Sequence, residues 1–259
     1  MSNPAEATVL ASPWPDAPRL AFADAVADRE PDRARLIRDE IAVLRARRAG
    51  DAGRVPEQAR LVPLRARVQI PLFAALADLS PPGPRTFGLG RGFVESVRAP
   101  AGWLLRRAPE LFARAPVLDV HVTALDEPLE ALLAAPWMAR LRWLGLAQLG
   151  LGDADVGWVV SADLPRLCAL DLSSNRIGPA GLDALAMGLP TLRYVALAGN
   201  PAPDPNYRTR FADDHEAGPV PTTDSAAFLT RHPRCAWIGR YSADDPPMPG
   251  ALHPAGAGC

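Results

Sequence analysis

Apolar residues return along the middle of this chain at a nearly fixed period. Units begin at Val117 (VLDVHVTAL), Leu141 (LRWLGLAQL), Leu167 (LCALDLSSN) and Leu192 (LRYVALAGN), spaced 24, 26 and 25 residues apart. Each follows L-x-x-L-x-L-x-x-N/L, and its central alternation predicts a short strand. The inward positions are then Val120, Val122, Leu144, Leu146, Leu170, Leu172, Val195 and Leu197. The opposite face carries Asp119, His121 and Thr123, then Trp143, Gly145 and Ala147, then Ala169, Asp171 and Ser173, then Tyr194, Ala196 and Ala198. Asn175 and Asn200 share one offset, where a side-chain amide can satisfy backbone groups as the chain leaves the strand. Leu125 and Leu149 hold that offset in the first two units. A unit of this length cannot bury its own apolar edge, so neighbouring units must stack.

The pattern before Val117 is helical and arginine-rich. Ala17 to Asp28 places Leu20, Phe22, Ala23 and Val26 largely on one face, and Arg33 to Arg48 places Leu36, Ile37, Ile41 and Leu44 at helical spacing. A third helix from Glu57 is expected to break or kink at Pro63 and Pro71, because proline lacks the amide proton the helix needs. SPPGP at 80–84 ends this region. Gly92 to Val97 predicts a short strand with only partial alternation, and Pro100 to Ala115 a helix offering Trp103, Leu104, Leu111 and Phe112 to a core. After Asn200 the pattern predicts a Pro-rich loop, a helix at Ser225–Arg231, a closing segment Cys235–Ile238 and a disordered tail from Ser242.

The repeated units resemble leucine-rich repeats of the ribonuclease-inhibitor type in a bacterial protein. The first half resembles the helical repeat-companion domain that precedes such repeats. The residues that carry this are PRLAFAD at 18–24, DRARLIR at 32–38, RGFVESV at 91–97 and APELF at 108–112; Ala25 and Glu30 depart from the family's tryptophan and glycine. The resemblance implies an α/β chain: a short leucine-rich-repeat solenoid with a parallel concave sheet, capped by a mostly helical N-terminal domain. The expected divisions are a companion region at 1–84, a strand and helix capping the solenoid at 85–116, repeats at 117–200, a C-terminal cap and loop at 201–241, and the tail at 242–259. The family is associated with no defined reaction.

Charge and composition narrow the function classes. The net charge is −1, with 28 basic residues against 29 acidic, and every basic residue is arginine. That disfavours a nucleic-acid surface, as does the spread of arginines between Arg29 and Arg67 around more than one helix. Without lysine there is no Schiff-base or Walker A lysine. An N-terminus without a basic segment followed by a long apolar run, and three scattered cysteines at 168, 235 and 259, predict a cytoplasmic protein with no membrane partner.

His121, Asp171 and Ser173 share the predicted face, yet His121 and Asp171 stand two strands apart, roughly 9–10 Å, too far for a proton relay. The pair His232 and Cys235, even with His215, His253 or Cys259, lacks a matching second pair for zinc. The expectation is therefore a non-enzymatic chain with no metal and no cofactor, a monomer when unbound. Its concave face would take a protein or peptide partner of unknown identity. Trp143 and Tyr194 would anchor that partner, unless the helical half or the tail folds over them, and Asp119, His121, Asp171 and Ser173 would orient it. A second expectation makes the chain a substrate or carrier, modified at Cys259 by a partner enzyme that recognises the folded repeats.

Overall fold

The structure, a computed structural model, describes residues 3–48, 55–189, 191–192, 194–197, 199–201 and 237–238. They fall into two compact units. One holds the described residues of Met1–Ala99 and Arg106–Val120, the other those of Pro100–Leu105 and His121–Asp245.

In the first unit, α1 (Pro4–Ala11), α2 (Asp16–Val26) and α3 (Pro31–Arg48) bury the faces their sequence marks. Val9, Phe22, Ala23, Val26, Ala34, Ile37 and Ile41 form one cluster with Phe93, whose ring lies 5.1 Å from that of Phe22. Contrary to expectation, α4 (Val55–Ala74) runs unbroken through Pro63 and Pro71. Leu61, Leu64 and Val68, at 3/4 spacing, are buried with Leu36 and Val43 of α3. Packing of this kind offsets the roughly 3 kcal/mol that an interior proline costs a helix.

A hairpin follows, of which the sequence announced only the second strand. β1 (Phe87–Gly90) pairs antiparallel with β2 (Phe93–Ala99). The two-residue turn, Arg91 at φ 47° and Gly92 at φ 72°, has the doubly left-handed geometry that matches strand twist in tight hairpins. The register passes from Gly88↔Ser96 to Leu89↔Val94, so Glu95 is a bulge with no partner on β1. That bulge explains the broken alternation of 92–97 and re-aims one carboxylate.

Glu95 Oε1 receives Arg19 at 2.6 Å and Arg91 Nε at 2.9 Å, all three side chains being buried. Arg91 also donates to the carbonyls of Pro13 and Trp14 and pairs with Asp16 at 3.1 Å. The turn itself is held on both sides: Gly92 N–H donates to Glu40 Oε2 at 3.1 Å, and its carbonyl accepts from Arg33 Nε at 3.0 Å. Arg33 lies over the rings of Phe22 and Phe93 at 4.5 and 4.6 Å. Glu40 pairs in turn with Arg65 of α4 at 2.6 Å. Burial holds the Glu40 carboxyl above its usual range, against the opposing pull of Arg65.

In the second unit, β4 (Trp143–Gly145), β5 (Ala169–Asp171) and β6 (Tyr194–Ala196) run parallel, in the registers Trp143↔Ala169↔Tyr194 and Gly145↔Asp171↔Ala196. The backbone of β7 (Trp237–Ile238) pairs with β6. Leu144, Leu146, Leu170, Leu172, Val195 and Leu197 are all buried, as their alternation requires. Asn175 is buried beside the strand ends. Its Nδ2 donates to the carbonyls of Leu146 and Leu172 at 2.8 and 2.9 Å, and its Oδ1 accepts from Leu149 and Leu151 N–H at 3.0 and 3.1 Å. Asn200 repeats the device on the carbonyls of Leu172 and Leu197 and the N–H of Ile177. The helix α6 (Leu129–Leu133) leads into β4, α7 (Asp153–Ser161) joins β4 to β5, and α8 (Pro179–Met187) joins β5 to β6.

The expected architecture is corrected by the sheet. Among the described residues, strands β1 to β7, with β3 at Asp119–Val122, follow one another in chain order, so the sheet has two distinct edges, and it begins with an antiparallel pair. This is an open α/β sheet of mixed direction. The all-parallel, curled solenoid of a leucine-rich-repeat protein, and with it the family resemblance, does not describe the chain. Short alternating segments specify strands and local register, but the direction of an edge hairpin and the curl of a sheet depend on partners outside each segment.

Two outcomes follow from the clamped turn. Gly92→Ala should lower the unfolding free energy in urea by about 2–4 kcal/mol, because a Cβ there overlaps Ile37 and the residue keeps a left-handed φ. Glu40→Gln should gain on wild type as pH rises from about 4 to 7. With its folded pKa raised, Glu40 contributes most below that pKa and loses ground as it ionises. Unfolding curves across that range should show the offset drifting toward the variant; a drift toward wild type would mean that the partners over-compensate burial.

Candidate functional site

The residues expected to face a partner are largely spent on one another. Trp143 is only 4% exposed, and its ring centroid lies 3.7 Å from that of His121. Both fit because Gly145 has no side chain: a Cβ there would overlap the indole and come within 2.9 Å of His121 Nδ1. Asp171 and Ser173 are buried, and Ser173 donates both N–H and O–H to Asp171 Oδ1, at 2.9 and 2.6 Å. Asp119 is buried in β3. The backbone of Tyr194 lies in β6, opposite Ala169, and nothing is described of its side chain; Cys259 lies outside the described residues. The structure thus joins His121 to Trp143 and Asp171 to Ser173.

These positions overturn the binding role given to a concave repeat face. An interface anchor has to present its aromatic surface to solvent, and Trp143 does not. The alternative role for Cys259 required folded repeats as a recognition handle, so it falls with the solenoid.

The second unit does expose a large aromatic elsewhere. In α7, Val156 and Val159 face inward at helical spacing, and the same spacing turns Trp158 outward, where it is 52% exposed. Gly152 N–H donates to Asp155 Oδ2 at 2.8 Å and fixes the start of that helix. Across from Trp158, α6 buries Leu129, Leu132 and Leu133 and is followed by a 3-10 turn, Pro136–Arg140. Between these elements lies a groove of about 480 Å³. Leu133, Ala134, Ala135, Pro136 and Ala139 contribute small apolar surface; Trp158 and Ser161 line the α7 side, and Glu130 and Asp163 add carboxylates from separate elements. Among the described residues, no basic side chain lines it.

An aromatic plane, a shallow apolar floor and two carboxylates make a surface for a partly apolar, positively charged group. The signal in the sequence is the tryptophan's position off the inward stripe of DADVGWVVS, on a helix outside the repeated strand positions. No protein-family model and no solved structure matches this chain. No helix among the described residues is long and apolar enough to cross a membrane.

Gly145→Ala should displace Trp143 from its seat, lower stability by about 2 kcal/mol and raise the fraction of tryptophan fluorescence quenched by acrylamide. Unchanged quenching and stability would show that the indole does not depend on this glycine.

Proposed function

We propose that this protein is a non-enzymatic binding protein whose partner, a protein or peptide, docks in the Trp158 groove of the second unit. The observation that carries this reading is the half-exposed indole beside a floor of small apolar side chains. Tryptophan is among the residues that most often dominate interfaces, and a rigid aromatic loses little side-chain entropy on contact. A groove of this size accommodates a short segment rather than a whole domain face, which suits a weak or transient complex. The non-enzymatic half of the proposal rests on the chemistry of the strand positions. The Ser173 hydroxyl donates a hydrogen bond to Asp171, and the His121 ring packs tilted against Trp143, so each is engaged in packing or pairing rather than set toward a substrate.

A photo-reactive amino acid in place of Ser161 tests the docking site in lysate of the native organism. The expected result is a discrete adduct that disappears when Trp158→Ala is added to the same protein. An adduct of equal yield in both backgrounds, or none in either, would rule the groove out as the docking site.

A further inference from the structure

Resting on that reading, we propose that the Trp158 groove recognises an arginine side chain carried on an extended segment of the partner. Charge complementarity commits the occupant. Glu130 at the start of α6 and Asp163 just after α7 both line the groove and are exposed, and among the described residues neither forms an ion pair. Elsewhere the same unit satisfies Asp153 and Asp171 with backbone or hydroxyl donors, so two solvated carboxylates beside one indole stand apart. An anionic or phosphorylated segment would be repelled, and a purely apolar one would leave both carboxylates to be desolvated without a partner.

Between the two cationic side chains, geometry selects arginine. Its planar guanidinium stacks on an indole face while its five N–H donors point outward in the plane, where carboxylates from two separate elements can accept them. Its aliphatic stem lies along small apolar surface such as Ala134, Ala135 and Ala139. The ammonium of lysine is more strongly hydrated and cannot stack and bridge at once.

A random nonapeptide display library panned against the full chain tests this, with Trp158→Ala and the pair Glu130→Gln, Asp163→Asn panned in parallel. All three positions are solvent-exposed, and an unchanged far-UV spectrum confirms that each variant folds. The expected outcome is an arginine-bearing pool from wild type that is absent from both variants. Replacing that arginine by citrulline in a selected peptide should weaken binding about tenfold. Equal enrichment of lysine would overturn the choice of arginine, and a Trp158-dependent pool without basic residues would overturn the charge argument; in either case the groove remains a docking site. A wild-type pool indistinguishable from that of Trp158→Ala would remove both readings. Concentration-dependent self-association lost in Trp158→Ala would assign the groove to a second copy of the chain and overturn the proposal.

Discussion

Where this chain turns away from a strand, backbone N–H and C=O groups are buried, and each has to find a partner. Side chains supply it in both units. The strands β4, β5 and β6 span three residues each, so much of the neighbouring backbone lies beyond the ladder. Asn175 meets that need with both ends of one amide, and Asn200 does so one strand later. In the first unit, the Gly92 amide and carbonyl are buried at the hairpin turn, and Glu40 and Arg33 take them. An unpaired buried group costs about 1–3 kcal/mol, so these few residues hold together elements that apolar packing alone would leave adjustable.

The same constraint explains why a chain of near-zero net charge concentrates charge inside its helical half. Arg19, Arg91 and Glu95 form a buried triad, and a buried ion pair is stable only when its geometry and remaining hydrogen bonds are satisfied. The carbonyls of Pro13 and Trp14 accept from Arg91, and the Pro13 carbonyl also accepts from Arg19. The bulge at Glu95 makes the triad possible, since a regularly paired residue there would direct its side chain according to the strand's alternation. Arginine suits these sites because its planar fork serves several acceptors at once and also lies over the Phe22 and Phe93 rings.

The docking site we propose lies on the helical connections of the second unit and not on its strands. The strand face is occupied internally by a tilted His121–Trp143 ring pair and a hydrogen-bonded Asp171–Ser173 pair. The Trp158 groove has the reverse character: a large aromatic surface and two carboxylates left in solvent, beside side chains too small to cover them. The contrast follows from what each tryptophan neighbours. Gly145 makes a seat for one indole, whereas Val156 and Val159 fill the inward side of α7 and leave the other outside.

Much of the local structure was legible in the chain. Alternation marked the inward residues of β4, β5 and β6 and their register, because a two-residue period is decided by adjacent side chains. The offset shared by Asn175 and Asn200 announced their role, since an amide is the short side chain that offers donor and acceptor together. Helical spacing placed α2, α3 and α5 (Ala101–Arg114) to within a few residues. What only the tertiary structure decided were the features that depend on partners distant in sequence. The continuity of α4 through Pro63 and Pro71 rests on α3, and the strand β1 exists because β2 pairs with it. The antiparallel edge that makes the sheet mixed, the burial of Trp143 and the exposure of Trp158 belong to the same class. A residue's period fixes the side of an element on which it lies, but what covers that side is settled by the rest of the fold.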